Sequence, residues 1–354
     1  MAAKLPRPRP AVTAMAPYSP PTAGRAEKLR LDFNENTVGC SPRVIAALKE
    51  HLNAGALTIY PEYGRAKEKI ARYFEVDSAQ FVFTNGTDEA IQVFVNTFVD
   101  AGEEVVILKP SYAMYRFYAE VAGAKLVEVE FSQPDLEFPL ERLLEAITPA
   151  TRAVMLANPN NPTGSGLTLP SIQRILEAAE DAAVLVDEAY FEFSGVTALP
   201  WLARVPNLFV SRTFSKVFGM AALRLGGLFS DPANVACMHK AQSPYSVNSL
   251  AIVAAEAAIE DRAYIEGYVA EVLAARTLLC HGLERLGIRY TPSSANFVLG
   301  HFGPRAGDIR DGLRARGILV RDRSYEIPGC VRITVGTRDQ MARMISALEE
   351  IWLR

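Results

Sequence analysis

Phe81-Val82-Phe83-Thr84-Asn85-Gly86-Thr87-Asp88-Glu89-Ala90-Ile91 is the stretch on which the fold turns. Residues 81–84 are β-branched and aromatic, and Asn85-Gly86 is a turn signal, so a short strand ends there. Beyond it, Ile91, Phe94, Val95, Phe98 and Val99 fall on one face of a helix. Asn85 or Thr87 can cap that helix, and Asp88 and Glu89 suit its first turn. The unit is strand, tight turn, helix. Working outward, further strands are expected at 104–108, 125–131, 153–157, 183–187 and 208–211, with helices at 65–74, 170–181 and 249–259. Several strands are continuous apolar runs, as expected where both faces are covered. The alternation predicts an α/β fold: a mainly parallel sheet flanked by helices in a large domain. From about residue 246 the pattern changes to long helices with shorter strands near 296–299 and 331–335, predicting a smaller α+β domain. The expected division is an N-terminal arm over 1–34, a large domain over 35–245 and a small C-terminal domain over 246–354.

Composition narrows the function classes. The chain has 354 residues, 49% apolar and 22% charged, with a formal net charge of −3. A near-neutral balance offers no basic footprint for nucleic acid or an anionic membrane. An anionic ligand must therefore be met by a few local arginines. Cys40, Cys237, Cys280 and Cys330 are far apart and unpaired by spacing, so they read as thiols in a reducing cytoplasm. With only four histidines a metal site is not expected. No uncharged apolar run reaches the roughly 18 residues of a membrane span. Pro6, Pro8, Pro10, Pro17, Pro20 and Pro21 interrupt any signal-peptide core in the arm.

In doubly wound sheets, ligands bind beyond the carboxyl ends of the strands. Five polar clusters follow the expected strands: 85–87, 110–112, 158–164, 187–190 and 213–216. They should converge on one crevice. The sequence lacks the Walker, H-E-x-x-H and G-x-S-x-G patterns. Gly164-Ser165-Gly166 begins a dinucleotide-binding pattern, but Leu169 stands where its third glycine belongs. What remains is Ser211-Arg212-Thr213-Phe214-Ser215-Lys216, with Arg224 eight residues further on. A lone lysine is ordinarily a solvated surface group. This one follows a buried strand and is flanked by hydroxyls and arginine, a good phosphate environment. Such an amine can form a Schiff base with an aldehyde cofactor. Pyridoxal phosphate needs that lysine, a phosphate cup and a carboxylate for its ring nitrogen. Asp187, ending a core strand, is the candidate carboxylate; from this residue alone a strand-terminal cap is an equal reading.

Asn158-Pro159-Asn160-Asn161-Pro162-Thr163-Gly164, then Asp187-Glu188-Ala189-Tyr190, then Ser215-Lys216 with Arg224 together resemble the fold-type I pyridoxal-phosphate aminotransferases. More narrowly, Asn34-Glu35-Asn36, Tyr60-Pro61, 86–90 and 331–338 resemble the histidinol-phosphate aminotransferase family. The resemblance spans roughly residues 30–340 and implies these roles. Lys216 would hold the cofactor covalently and move the substrate's Cα proton. Asp187 would pair with the pyridinium nitrogen, Asn161 and Tyr190 would bond the phenolic oxygen, and Tyr112 would stack on the ring. The phosphate would sit at Gly86, on the backbone N–H groups of Thr87 and Asp88, with Thr213, Ser215 and Arg224 completing the cup. Arg332 would bind a substrate carboxylate and Arg321 a distal phosphate or carboxylate; a surface ion pair of Arg321 with Asp322 is the competing reading. Tyr18 would reach the substrate from the arm.

The resemblance also implies a homodimer in which Tyr60 reaches the neighbouring subunit's cofactor phosphate. The implied reaction exchanges an amino group between L-histidinol phosphate (imidazole-acetol phosphate) and 2-oxoglutarate/glutamate, in histidine biosynthesis. An aromatic amino-acid aminotransferase and a threonine-phosphate decarboxylase remain open on the same scaffold. A pyridoxal-phosphate-binding regulator would normally carry an appended DNA-binding domain, for which the arm is short. The sequence departs from the family where Thr37, Cys40 and Ala222 replace its usual prolines and glycine.

Overall fold

The computed structural model describes residues 5–17 and 23–354, and the stretch that opens at Phe81 folds as a strand running into the helix Gly86–Phe98. In chain order the strands are β1 (Leu29–Leu31), β2 (Phe81–Thr84), β3 (Glu104–Lys109), β4 (Lys125–Glu130), β5 (Thr151–Ala157) and β6 (Ala183–Asp187). They continue as β7 (Leu208–Thr213), β8 (Gly226–Phe229), β9 (Tyr290–Thr291), β10 (Phe297–His301), β11 (Ile318–Asp322) and β12 (Cys330–Thr334). A seven-stranded sheet has the order β2-β8-β7-β6-β5-β3-β4, and a five-stranded sheet has the order β1-β11-β12-β10-β9.

Only β8 runs antiparallel in the larger sheet, so the carboxyl ends of its six other strands share one edge. The continuous apolar runs are explained by coverage on both faces. Val106 and Leu108 join one core cluster, while Val105 and Ile107 join the other, as the period of two along a strand requires. No helix among the described residues is long and apolar enough to cross a membrane.

Three points of the fold go beyond the sequence reading. The arm does not extend to residue 34: Leu29–Leu31 pairs in parallel with β11, Leu29 opposite Ile318, and belongs to the smaller sheet. The change to long helices expected from about residue 246 comes with the helix Ser249–Glu260. The helix Ser249–Glu260 packs against helices Pro42–His51 and Gly64–Tyr73, and it is the next helix, Arg262–Arg285, that packs against Arg338–Trp352 and β10. Finally, β8 was unread because Gly226-Gly227 lowers strand propensity. The glycine is needed there: a Cβ on Gly226 would lie 2.9 Å from the Gly86 carbonyl carbon. This close approach brings the turn after β2 against the start of β8.

Candidate active site

A cavity of about 510 Å³ opens at the carboxyl edge of the larger sheet, with one wall supplied by β11 and β12 of the smaller one. The five clusters converge there. Thr87 and Asp88 come from the turn after β2, Tyr112 from the turn after β3, and Asn161 from that after β5. Asp187 and Tyr190 come from the end of β6, while Thr213, Ser215 and Lys216 come from β7 and its turn. Arg224 enters just before β8, and Arg321 and Arg332 face it from the smaller sheet. Gly86 backs the cavity with φ +74, a left-handed conformation; a Cβ on it would sit 2.5 Å from Arg224 Nη2. Tyr18 lies outside the described residues. Tyr60 is not in the cavity: it is 73% exposed and stacks on Tyr245 with ring centroids 4.6 Å apart.

The Lys216 amine donates to the Phe33 carbonyl at 3.1 Å, and burial, with the nearby Arg332 cation, pushes its pKa down from 10.5 to about 8. Asp187 is buried and accepts from Tyr115 Oη at 2.8 Å, Ser211 Oγ at 2.9 Å and the Ala189 N–H at 3.2 Å. Burial raises its pKa from 3.8 to about 6, and those hydrogen bonds oppose the rise. Its carboxylate has neutral donors and no ion-pair partner among the described residues. Tyr190 Oη accepts from Asn34 Nδ2 at 2.9 Å, and burial raises the phenol's pKa. The Asn34 backbone is tied to the smaller sheet through Thr334 and Asn296, which holds Phe33 and Asn34 as a wall of the cavity.

At the end of the cavity lined by Arg224, Asp88 accepts from Tyr112 Oη at 2.6 Å and pairs with Arg224 at 2.9 Å. The Asp88 side chain is thereby committed to its neighbours. Thr87 Oγ1 is buried with no hydrogen-bond partner, beside the first turn of the helix Gly86–Phe98. In the 158–164 loop only Asn161 lines the cavity. Asn158 accepts from the Leu167 N–H at 2.7 Å, and Asn160 bridges Ser111, Thr163 and the Pro110 carbonyl, so both are loop braces.

Arg212 does not belong to the phosphate environment in which the sequence placed it. Ser211 and Thr213 face the site, and alternation along β7 sends Arg212 to the opposite face. There it is buried against Glu188, with Nε 2.9 Å from the carboxylate, and its guanidinium lies 3.6 Å over the Phe191 ring. It locks β6 to β7 from behind the site.

On the smaller sheet, Arg321 and Arg332 are directly opposite each other across β11 and β12, hence on one face. Arg332 donates to Asn161 Oδ1 and, at 2.7 Å, to the Asp32 carbonyl. The expected alternative for Arg321 fails, because Asp322 pairs instead with Arg310 at 3.0 Å. Sequence reasoning missed Tyr115 and Arg323. Helical spacing from Tyr112 signals the first, and period-two spacing from Arg321 signals the second.

The architecture and this constellation define a class, the lysine-bearing aminotransferases of fold type I. The model of the family "Aminotransferase class I and II" matches residues 26–348. The histidinol-phosphate aminotransferase of Symbiobacterium thermophilum is 35% identical over 358 residues, covering 96% of this chain and 97% of that protein. A crystal structure of the Sinorhizobium meliloti histidinol-phosphate aminotransferase in complex with pyridoxal-5'-phosphate superposes with TM-score 0.90 at 27% identity, covering 100% of this chain and 99% of that one. The L-threonine-O-3-phosphate decarboxylase of Porphyromonas gingivalis superposes with TM-score 0.81 at 25% identity, covering 92% and 100%. The chain belongs to the class I and II aminotransferases and, within them, to the histidinol-phosphate aminotransferase family.

Proposed function

We propose that this aminotransferase uses pyridoxal phosphate to exchange an amino group between L-histidinol phosphate (imidazole-acetol phosphate) and 2-oxoglutarate/glutamate, the histidine-biosynthesis reaction. The observation that carries this reading is one cavity holding a buried amine, Lys216, opposite the cross-strand arginines Arg321 and Arg332. The residues fit the cofactor. The buried carboxylate of Asp187 lacks the cationic partner that a protonated ring nitrogen would provide. The unpartnered Thr87 hydroxyl and the Arg224 guanidinium, set against Gly86, face the space a phosphate would take.

When bound, pyridoxal phosphate supplies an electron sink for the pair left at the substrate's Cα. Lys216 would hold the cofactor covalently and, once released by the incoming amine, carry the Cα proton. Asp187, braced by Tyr115 and Ser211, would keep the ring nitrogen protonated. Asn161 and Tyr190 would donate to the phenolic oxygen, and Tyr112 would cover the ring face. The N–H groups of Thr87 and Asp88, with Thr213, Ser215 and Arg224, would hold the phosphate at a helix N-terminus. Arg332 and Arg321 would hold the substrate's anionic groups, a use for which the guanidinium fork is suited.

The test of substrate class is a half-reaction screen. Holoenzyme is mixed separately with histidinol phosphate, glutamate, phenylalanine and threonine phosphate, and the visible cofactor spectrum is followed. Rapid amination with histidinol phosphate and glutamate is expected. Preference for phenylalanine would make the enzyme an aromatic aminotransferase, and carbon dioxide from threonine phosphate would make it a lyase.

A pH dependence follows from the depressed Lys216 amine. Only the neutral amine attacks an aldehyde, and its fraction rises about tenfold per pH unit below the pKa. Capture of pyridoxal phosphate by the apoprotein should therefore accelerate from pH 6 to about 8 and level off above it. Stopped-flow absorbance checks this; a rise continuing to pH 10 would mean an ordinary lysine.

The same reading takes the active unit to be a cytoplasmic homodimer with shared sites. Tyr60 and Tyr245 form an exposed patch with Leu57 and Ile59, which are 61% and 69% exposed. Such a cluster of large apolar side chains suits a subunit contact. Tyr60→Ala and Lys216→Ala proteins should each be poor, yet mixing and reassembly should restore activity in heterodimers with one intact site. Mixed dimers no better than either parent would refute site sharing.

A further inference from the structure

The cavity holds a guanidinium that none of the assigned roles uses. Arg323 follows β11, two residues beyond Arg321 and on the same face, and lines the cavity together with Arg321 and Arg332. It is 8% exposed and does not line the neighbouring outer cavity of about 490 Å³, where Arg321 meets Arg25 and Arg310. Its one described acidic contact is Glu326, which takes Nη2; its Nε has no partner at all. Arg321 makes no hydrogen bond among the described residues and lies 5.5 Å over the Phe33 ring. Arg332 has spent one N–H of each Nη on Asn161 and the Asp32 carbonyl, and its Nε is also unpartnered.

Three guanidinium groups thus share one wall: Glu326 is held to Arg323, while of the carboxylates that line the cavity Glu35 pairs with Arg25 and Arg30 and Asp88 with Arg224. Burial first, and then the nearby charges of Arg323 and Arg321, push the Arg332 pKa down to about 10. A lone substrate carboxylate would leave this surplus of positive charge only partly matched. A dianion with three acceptor oxygens would match it, because guanidinium–phosphate contacts are charge-assisted and can be shared among several forks.

We propose that Arg323 is a third anion-holding residue of this wall, one that favours a phosphate-monoester dianion over a carboxylate beside Arg321 and Arg332. The inference deepens the reading of the substrate given above and rests on that reading for the identity of the monoester. The chemistry it asserts is narrower: the wall binds dianionic phosphate, and Arg323 contributes to that selectively.

The probe is inorganic phosphate, tested as a competitor of glutamate in the glutamate half-reaction of the holoenzyme. In Arg323→Met the inhibition constant for phosphate should weaken at least tenfold, while KM for glutamate moves less than threefold and kcat holds. Arg323→Lys should fall between, since it keeps the charge and loses the fork. Glu326→Gln, which frees the guanidinium, should tighten phosphate about threefold and serves as the deciding variant should Arg323→Met fail to fold. The same variants are then assayed with histidinol phosphate, whose KM should follow the phosphate constant. Phosphate inhibition unchanged in Arg323→Met, or unchanged in Glu326→Gln where that variant decides, overturns the proposal. So does an equal loss for glutamate and phosphate, which is what a purely structural arginine gives. If the parent protein does not turn over histidinol phosphate but phosphate still competes in an Arg323-dependent way, the anion site stands and the substrate reading falls.

Discussion

Lys216→Ala is expected to lower transamination by about 10⁴-fold or more, since on the proposed reading one change removes both the covalent attachment point and the proton carrier. The substituted side chain leaves the sheet intact: Lys216 lies in the turn after β7, and its amine makes one hydrogen bond, to the Phe33 carbonyl. Folding should therefore survive, and the loss should be chemical. Borohydride treatment of the parent holoenzyme should fix the cofactor on the peptide containing Lys216, whereas the variant should show no such adduct. Exogenous methylamine should restore a small part of the rate by replacing the missing base. Labelling at another lysine, or activity within a hundredfold of the parent, would move the site elsewhere.

Asp187→Asn should cost about 10²- to 10³-fold in kcat, the scale of removing a preorganised electrostatic partner of the developing charge. An amide keeps the shape and can still bond Tyr115 and Ser211, but it cannot hold a proton on the ring nitrogen. Cofactor retention should change much less than rate, because the proposed phosphate cup draws on Thr87, Arg224 and their neighbours rather than on β6. The carboxyl's elevated pKa adds a pH signature. In the free protein Asp187 is protonated below about pH 6 and ionised above it. Binding a protonated ring nitrogen favours the ionised form, so cofactor affinity should fall as pH drops through 6. In Asp187→Asn that acid limb should vanish. A variant with near-normal kcat would show that another carboxylate plays this part.

Much of the cavity's lining is legible in the sequence because parallel α/β sheets place the ends of their strands on one edge. Once the strands ending at Thr84, Ala157, Asp187 and Thr213 are recognised, the polar residues just after them must meet. Arg321 and Arg332 were found by resemblance, and their common face follows from the direct pairing of β11 with β12. Arg212 shows where linear reading stops. Its neighbours Ser211 and Thr213 bracket it in sequence, yet the strand's alternation carries it to the far face and a buried partner, Glu188.

Hydrophobic period, turn residues and capping groups act over a few residues, so the chain alone specified the strand–turn–helix at 81–98, the sheet's parallel character and the place of Lys216 just after a buried strand. The placing of β1 beside β11, of β8 between β2 and β7, and of Arg323 beside Arg321 and Arg332 in one cavity came from folding of the whole chain. Those pairings join segments far apart in sequence, Leu29 with Ile318 and Thr84 with Gly226. Their selection depends on which register buries apolar area and satisfies backbone groups across both sheets at once, a condition no local stretch contains.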